Sequence, residues 1–201
     1  MKSWKVKEIV IMSVISIVFA VVYLLFTHFG NVLAGMFGPI AYEPIYGIWF
    51  IVSVIAAYII RKPGAALVSE IIAALVECLL GNPSGPMVIV IGIVQGLGAE
   101  AVFLATRWKA YSLPVLMLAG MGSSVASFIY DLFVSGYAAY SSGYLLIMLV
   151  IRLISGALLA GLLGKAVSDS LAYTGVLNGM ALGKELKKKR KRKRASEHAS
   201  L

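Results

Sequence analysis

Five ionisable side chains interrupt otherwise apolar stretches of this sequence: Glu70, Glu77, Glu100, Asp131 and Arg152. A charge in hydrocarbon costs at least ~2.5–3.5 kcal/mol on insertion scales, so each of them should face a cavity or a partner. Glu70 and Glu77 are seven residues apart and share one helical face. Ser124, Ser127, Asp131 and Ser135 make a polar stripe at helical spacing, and Tyr130 and Tyr137, again seven apart, lie on an adjoining face. At about 1.5 Å per residue from the nearest turn, Glu77 lies roughly 6 Å deep, Asp131 and Trp49 about 7.5 Å, and Gln95 and Arg152 about 13 Å. Glu70 and Glu100 lie instead about 9–10 Å from the opposite boundary, near Lys62 and Arg107. A cavity lined by Glu77, Asp131, Gln95, Trp49, Tyr130 and Tyr137 suits a flat, cationic, hydrogen-bonding ligand. The carboxylates neutralise the cation, the aromatic faces stack on a ring and attract positive charge, and the amide donates or accepts.

Each of these residues has a plainer alternative. Asp131 and Arg152 can pair with each other, and Glu70 and Glu100 can bind helix ends or basic loops. Trp49 and the tyrosines also suit the aromatic belt at a membrane surface. His28 reads as a boundary residue.

The elements that carry these side chains are long and apolar. The chain has 201 residues, 60% hydrophobic and 13% charged, with a mean hydropathy of +0.92. That charge is about half the roughly 25% usual for a soluble domain, which excludes an ordinary cytosolic enzyme and a disordered chain. Six apolar spans follow one another: 9–29, 44–60, 65–80, 87–106, 113–137 and 144–164. Crossing a bilayer takes about 20 residues, so the second span is marginal and the third needs its flanks. Connections rich in Pro and Gly separate the spans, and no alternating strand pattern appears. The expected fold is an all-α polytopic membrane protein with six transmembrane helices over residues 1–175 and a basic tail over 176–201. The first span is too long an apolar run for a cleaved signal peptide, and five more follow.

Lys2, Lys5 and Lys7, then Arg61 and Lys62, then Arg107 and Lys109 flank alternate connections, and the other three connections hold no Lys or Arg. Cytoplasmic loops collect cations, so both termini are expected on the cytoplasmic side of the membrane. The net charge of +9 has its main source in Lys184–Arg194, which holds nine of the 18 Lys and Arg residues. No aromatic or recognition motif interleaves that run, so it fits topology and anionic lipid rather than nucleic acid.

Little supports catalysis or a bound cofactor. Phosphate-loop, zinc-protease and nucleophile-elbow motifs are absent, a single Cys78 excludes a disulfide framework, and His28 and His198 leave little for a metal. A small membrane protein with a solute pocket and no energy source must borrow one or act passively. Two ladders of small residues, Ser16 and Ala20 on the first span and Gly156, Ala160 and Gly164 on the last, allow close helix approach, internally or to a partner protein.

The runs Tyr42-Glu43-Pro44-Ile45-Tyr46-Gly47-Ile48-Trp49-Phe50, Arg61-Lys62-Pro63-Gly64-Ala65, Glu77-Cys78-Leu79-Leu80-Gly81-Asn82-Pro83 and Gln95-Gly96-Leu97-Gly98-Ala99-Glu100 resemble the YkoE family. The resemblance covers roughly residues 5–175. It implies a six-helix substrate-binding S component of an energy-coupling factor (ECF) transporter, linked to thiamine and its hydroxymethylpyrimidine precursor. It further implies a transmembrane T subunit and cytoplasmic ATPases as partners, with a small-residue face on helix one, here Ser16 and Ala20, docking the T subunit. Thiamine carries a cationic thiazolium and an aminopyrimidine whose amino group can donate to a carboxylate. On this reading Glu77 and Asp131 are the principal anchors, and Glu43 attracts or covers the cation. Trp49, Tyr130 and Tyr137 border the rings and Gln95 makes a deeper contact. The competing reading is a non-transport membrane scaffold whose carboxylates and small residues bind partner helices.

Overall fold

The computed structural model describes residues 3–199, and it is helical throughout its regular elements. Helix α1 (Val6–Phe37) leads through a 3-10 segment, Pro39–Phe50, into α2 (Ile51–Ile60). Helices α3 (Ala65–Leu79), α4 (Met87–Ala105) and α5 (Leu113–Val134) follow. After a short turn at Tyr137–Ala139, α6 (Ser142–Ser155) continues through a π-helical stretch, Gly156–Leu163, into α7 (Gly164–Tyr173). The basic α8 (Ala181–Ala199) ends the described chain.

Five segments are long and apolar enough to cross a membrane: Val6–Phe37, Pro39–Ile60, Met87–Ala105, Leu113–Val134 and Ser142–Tyr173. The six expected spans all fall on helices, but α3 has only 15 residues. At 1.5 Å per residue it reaches about 22 Å, short of a ~30 Å hydrocarbon core. Its sides carry Glu70 and Glu77 because both are turned inward.

Helix α2 is the axis of the bundle. All ten of its residues are buried, and α1, α3, α7 and the π-helical stretch surround it. Apart from Ser53 and Tyr58, which hydrogen-bond to the Phe50 carbonyl and to Asp169, α2 is apolar, and a helix apolar nearly all round has no polar face to turn to water. Around it the helices approach closely wherever a side chain is missing. A Cβ on Gly98 of α4 would meet the backbone of Gly122 in α5, and one on Gly120 would meet the carbonyl of Gly156. Removing the side chain at both positions of a crossing lets backbones touch, which is how helices gain contact where the surrounding lipid is equally apolar.

The cationic loops converge on one end of the bundle. Lys62 Nζ lies 2.5 Å from Glu8 Oε2 and also donates to the Ser3 carbonyl, while Lys7 donates to the Asn178 carbonyl. Arg61 closes α2 in the left-handed region, at φ 57°, and its Nη1 lies 2.5 Å from Glu185 Oε2. Lys189 and Arg61 together hold the Glu185 carboxyl below the usual carboxylate range. Residues Leu177, Met180 and Leu182, at the start of the basic tail, are buried in the same core as α2.

Of the two readings of the Ser16 and Ala20 ladder, internal packing or the partner docking that the resemblance implies, the burial of both residues favours the internal one. Both residues have no exposed surface and face the protein's own core, so they offer nothing to another chain. The outward face of α1 consists instead of Val10, Val14, Ile17, Val18, Val21 and Leu25.

Candidate functional site

A cavity of about 570 Å³ opens at the end of the bundle opposite the cations, between α1, the 3-10 segment, α3, α4 and α5. Its size falls within the ~300–1,000 Å³ typical of small-molecule sites. Trp49, Glu77, Gln95, Tyr130, Asp131 and Tyr137 all line it, so the structure brings together six of the seven expected ligand contacts. Glu43 is the exception.

Glu43 is fully buried behind the wall. Its Oε2 lies 2.5 Å from Arg152 Nε, its Oε1 accepts from Arg152 Nη2 at 2.8 Å, and Tyr137 Oη donates to it at 3.3 Å. The forked guanidinium thus takes both oxygens, as a planar bidentate donor does. Glu43 cannot cover a ligand cation, because it already neutralises one. Arg152 Nη1 also lies 2.7 Å from Asp131 Oδ2, which accepts in addition from Tyr46 Oη at 3.0 Å. Asp131 Oδ1 accepts from Ser135 Oγ at 2.7 Å. The Tyr46 ring sits 3.6 Å from the guanidinium carbon, with Phe128 and Tyr137 further round it. Of the three aromatic residues expected around a ligand, Tyr137 therefore also borders the protein's own arginine.

That cluster fixes the 3-10 segment over the cavity. The segment needs outside ties, because Pro44 has no N–H and long 3-10 runs have poor internal hydrogen bonds. Ser155 supplies two: its Oγ accepts from the Gly47 N–H at 2.9 Å and donates to the Pro44 carbonyl at 2.9 Å. Gly47 is required there, since a Cβ would strike the Ser155 carbonyl. Trp49, half-buried, is then held in the wall by donating from Nε1 to Thr27 Oγ1 at 3.1 Å.

The opposite wall is electrostatically different. Glu77 accepts from Asn82 Nδ2 at 2.6 Å and from Thr27 Oγ1 at 3.4 Å, both uncharged. Glu70, one face-repeat deeper on α3, lines the floor with Gln95, and its Oε2 is buried without a hydrogen-bond partner. Among the described residues no Lys, Arg or His pairs with Glu70 or Glu77. Gly92 and Gly96 bring α4 close enough for Gln95 to share this floor; a Cβ on Gly96 would lie 2.9 Å from Leu67 Cα. The two glutamates placed together near the inner boundary thus separate. Glu70 belongs to the cavity, whereas Glu100 caps α3, accepting from the Gly64 N–H at 2.7 Å and the Ala66 N–H at 3.1 Å.

Sequence reasoning missed Tyr23, Thr27, Tyr46 and Asn82. Thr27 and Asn82 look like ordinary end-of-helix residues, and only their reach to Glu77 gives them a role. Tyr46 and Asn82 do lie within two of the quoted motif runs, which was the available signal.

A multi-pass helical bundle with a polar, acidic solute cavity at one end is the architecture of a membrane transport subunit. The comparisons with known proteins agree. Residues 7–126 match the family described as "ABC-type cobalt transport system, permease component". The chain is 99% identical over 177 residues to the YkoE protein of Bacillus subtilis (strain 168), whose name designates an HMP/thiamine permease; the match covers 88% of this chain and 89% of that protein. It also superposes on a solved structure titled "Crystal structure of an S-component of ECF transporter", with a TM-score of 0.96 and 98% identity, over 99% of this chain and 100% of the other. The chain belongs to the YkoE family, and is a multi-pass bacterial membrane protein with the S-component fold.

Proposed function

We propose that this chain captures thiamine, its hydroxymethylpyrimidine precursor, or both, in an outward-facing cavity. A separate T subunit and ATPases then supply the energy of import. Within that reading the short α3 crosses the membrane with its flanks as the third of six helices, and both termini lie in the cytoplasm. The convergence of the cationic loops on the end away from the cavity supports that orientation.

One observation carries the ligand class: Glu70 and Glu77 line a cavity with aromatic walls and have no cationic partner among the described residues. A buried carboxylate wall of this kind favours a cationic or amino-bearing ring, and Trp49 and Tyr130 offer faces for it. Glu77 is the principal anchor, held in place by Asn82 and Thr27, with Glu70 and Gln95 reading the deep end of the ligand. Asp131, already bound to Arg152, acts on the ligand through its remaining exposed edge and through Tyr46. The relative's name and the solved S component support the solute and the partners respectively. With Ser16 and Ala20 buried, a T subunit would meet α1 on the Val14, Val18 and Val21 face.

Purified chain should bind radiolabelled thiamine or hydroxymethylpyrimidine saturably, at one site per chain. Absence of saturable binding of either compound would overturn the assignment.

A further inference from the structure

We propose that the junction of α7 and α8 is a binding site for the phosphate headgroup of an anionic phospholipid, in the leaflet at the cationic end of the bundle. The proposal is independent of the solute cavity.

Where α7 ends at Tyr173, the chain turns back through residues 174–180 into α8, leaving a cleft of about 140 Å³. Tyr173, Asn178, Gly183, Lys187 and Arg190 line it. Gly183, Lys187 and Arg190 follow one another at helical spacing, so they form one face of α8. The Arg190 guanidinium carbon lies 4.4 Å from the Tyr173 ring centroid, which orients its planar donors beside the cleft. Neither Lys187 nor Arg190 has an ion-pair partner among the described residues. The neighbouring acids among the described residues are engaged elsewhere: Glu185 is held by Arg61 at 2.5 Å and Lys189 at 2.7 Å, and Asp169, one turn before Tyr173, pairs with Lys165. Two cations and an amide therefore line the cleft, and no acidic side chain is among its lining residues.

The position of the cleft selects a lipid over other phosphates. Tyr173 ends the 32-residue helical segment Ser142–Tyr173, whose apolar stretch gives way to Lys165 and Asp169 toward the cationic end; it is 56% exposed, and Val176 beside it is 61% exposed. An exposed tyrosine where a span leaves hydrocarbon marks headgroup depth, and apolar neighbours at the mouth accept the start of an acyl chain. Burial of Leu177, Met180 and Leu182 fixes the first turn of α8 against the bundle, so Lys187 and Arg190 are presented at a set height. Basic residues at the inner surface are drawn to anionic lipid in any case; the cleft turns that diffuse attraction into a site.

Purified full-length chain, stripped of lipid in detergent, provides the test. Its thermal midpoint is followed against added phosphatidylglycerol, phosphatidylcholine of the same chain length, or inorganic phosphate. Phosphatidylglycerol should raise the midpoint by about 3 °C or more, as any ligand of the folded state does, while the other two leave it in place. The double variant Lys187→Gln with Arg190→Gln should need about tenfold more phosphatidylglycerol, since two charge-assisted contacts are lost. Lys184→Gln with Lys188→Gln removes equal charge from another face of α8 and should respond as the wild type does. Arg190→Lys keeps the charge but loses the planar fork, and should fall between them even where the double variant folds poorly. Equal weakening by both double variants would show diffuse attraction instead of a site. An equal effect of inorganic phosphate, or no preference for phosphatidylglycerol over phosphatidylcholine, would overturn the lipid assignment.

Discussion

Arg152 Nε lies 2.5 Å from Glu43 Oε2, and neither side chain has any exposed surface. This pair joins the 3-10 segment over the cavity to α6, and Asp131 completes it from α5. Arg152→Met would strand two buried carboxylates, and should cost about 3–5 kcal/mol of stability. Glu43→Gln should cost less, because Asp131 still faces the guanidinium. Thermal unfolding in detergent ranks the two, and equal midpoints would refute the shared role.

Glu100 is a capping residue and not a ligand contact. Glu100→Ala leaves the Gly64 and Ala66 N–H groups and Trp108 Nε1 without their acceptor. The expected loss is about 1–3 kcal/mol. Solute affinity should stay unchanged at temperatures where the variant is folded. A selective loss of affinity would place Glu100 in the site.

Close helix approach makes Gly120 and Gly156 intolerant of any side chain. Gly156→Ala would press a Cβ against the Gly120 backbone and Ser124 Oγ. Overpacking of this kind costs about 1–3 kcal/mol. Gly35, which has open space around it, should accept Ala with little change, and the two thermal midpoints give the comparison.

The chain alone should bind solute without accumulating it. Reconstituted in ATP-free liposomes, it should show no concentrative uptake under a proton or sodium gradient. Uptake driven by either gradient would contradict energy supply by partner subunits.

Much of this was legible in the sequence because hydrocarbon makes charges conspicuous. Glu77, Asp131 and Gln95 stood out as polar groups inside apolar spans, and counting the helical rise placed them toward the same end of the bundle, at roughly 6, 7.5 and 13 Å from the nearest turn. The destination of Arg152 was only half legible. Its pairing with Asp131 was an open alternative, but Glu43 lies 109 residues away in what read as a loop, and no spacing connects them. Glu70 was misplaced for a related reason. Depth along α3 put it near Lys62, whereas its direction, shared with Glu77, decides that it faces the cavity. Ser16 and Ala20 show the limit of small-residue ladders: the pattern announces a close approach and does not say to which neighbour. The short α3 was visible as a deficient span, yet the burial of its Glu70 and Glu77 face against the rest of the bundle is a property of tertiary packing.

The central claim is that an unpaired carboxylate wall, led by Glu77, binds the solute. Equilibrium dialysis of radiolabelled thiamine against wild-type chain and the Glu77→Gln variant tests it most directly, with thermal midpoints measured in parallel. A charged contact is worth about 1.5–3 kcal/mol, so Glu77→Gln should weaken binding by about ten- to a hundredfold while the midpoint stays within a few degrees. Binding of thiamine by Glu77→Gln with wild-type affinity would contradict the account.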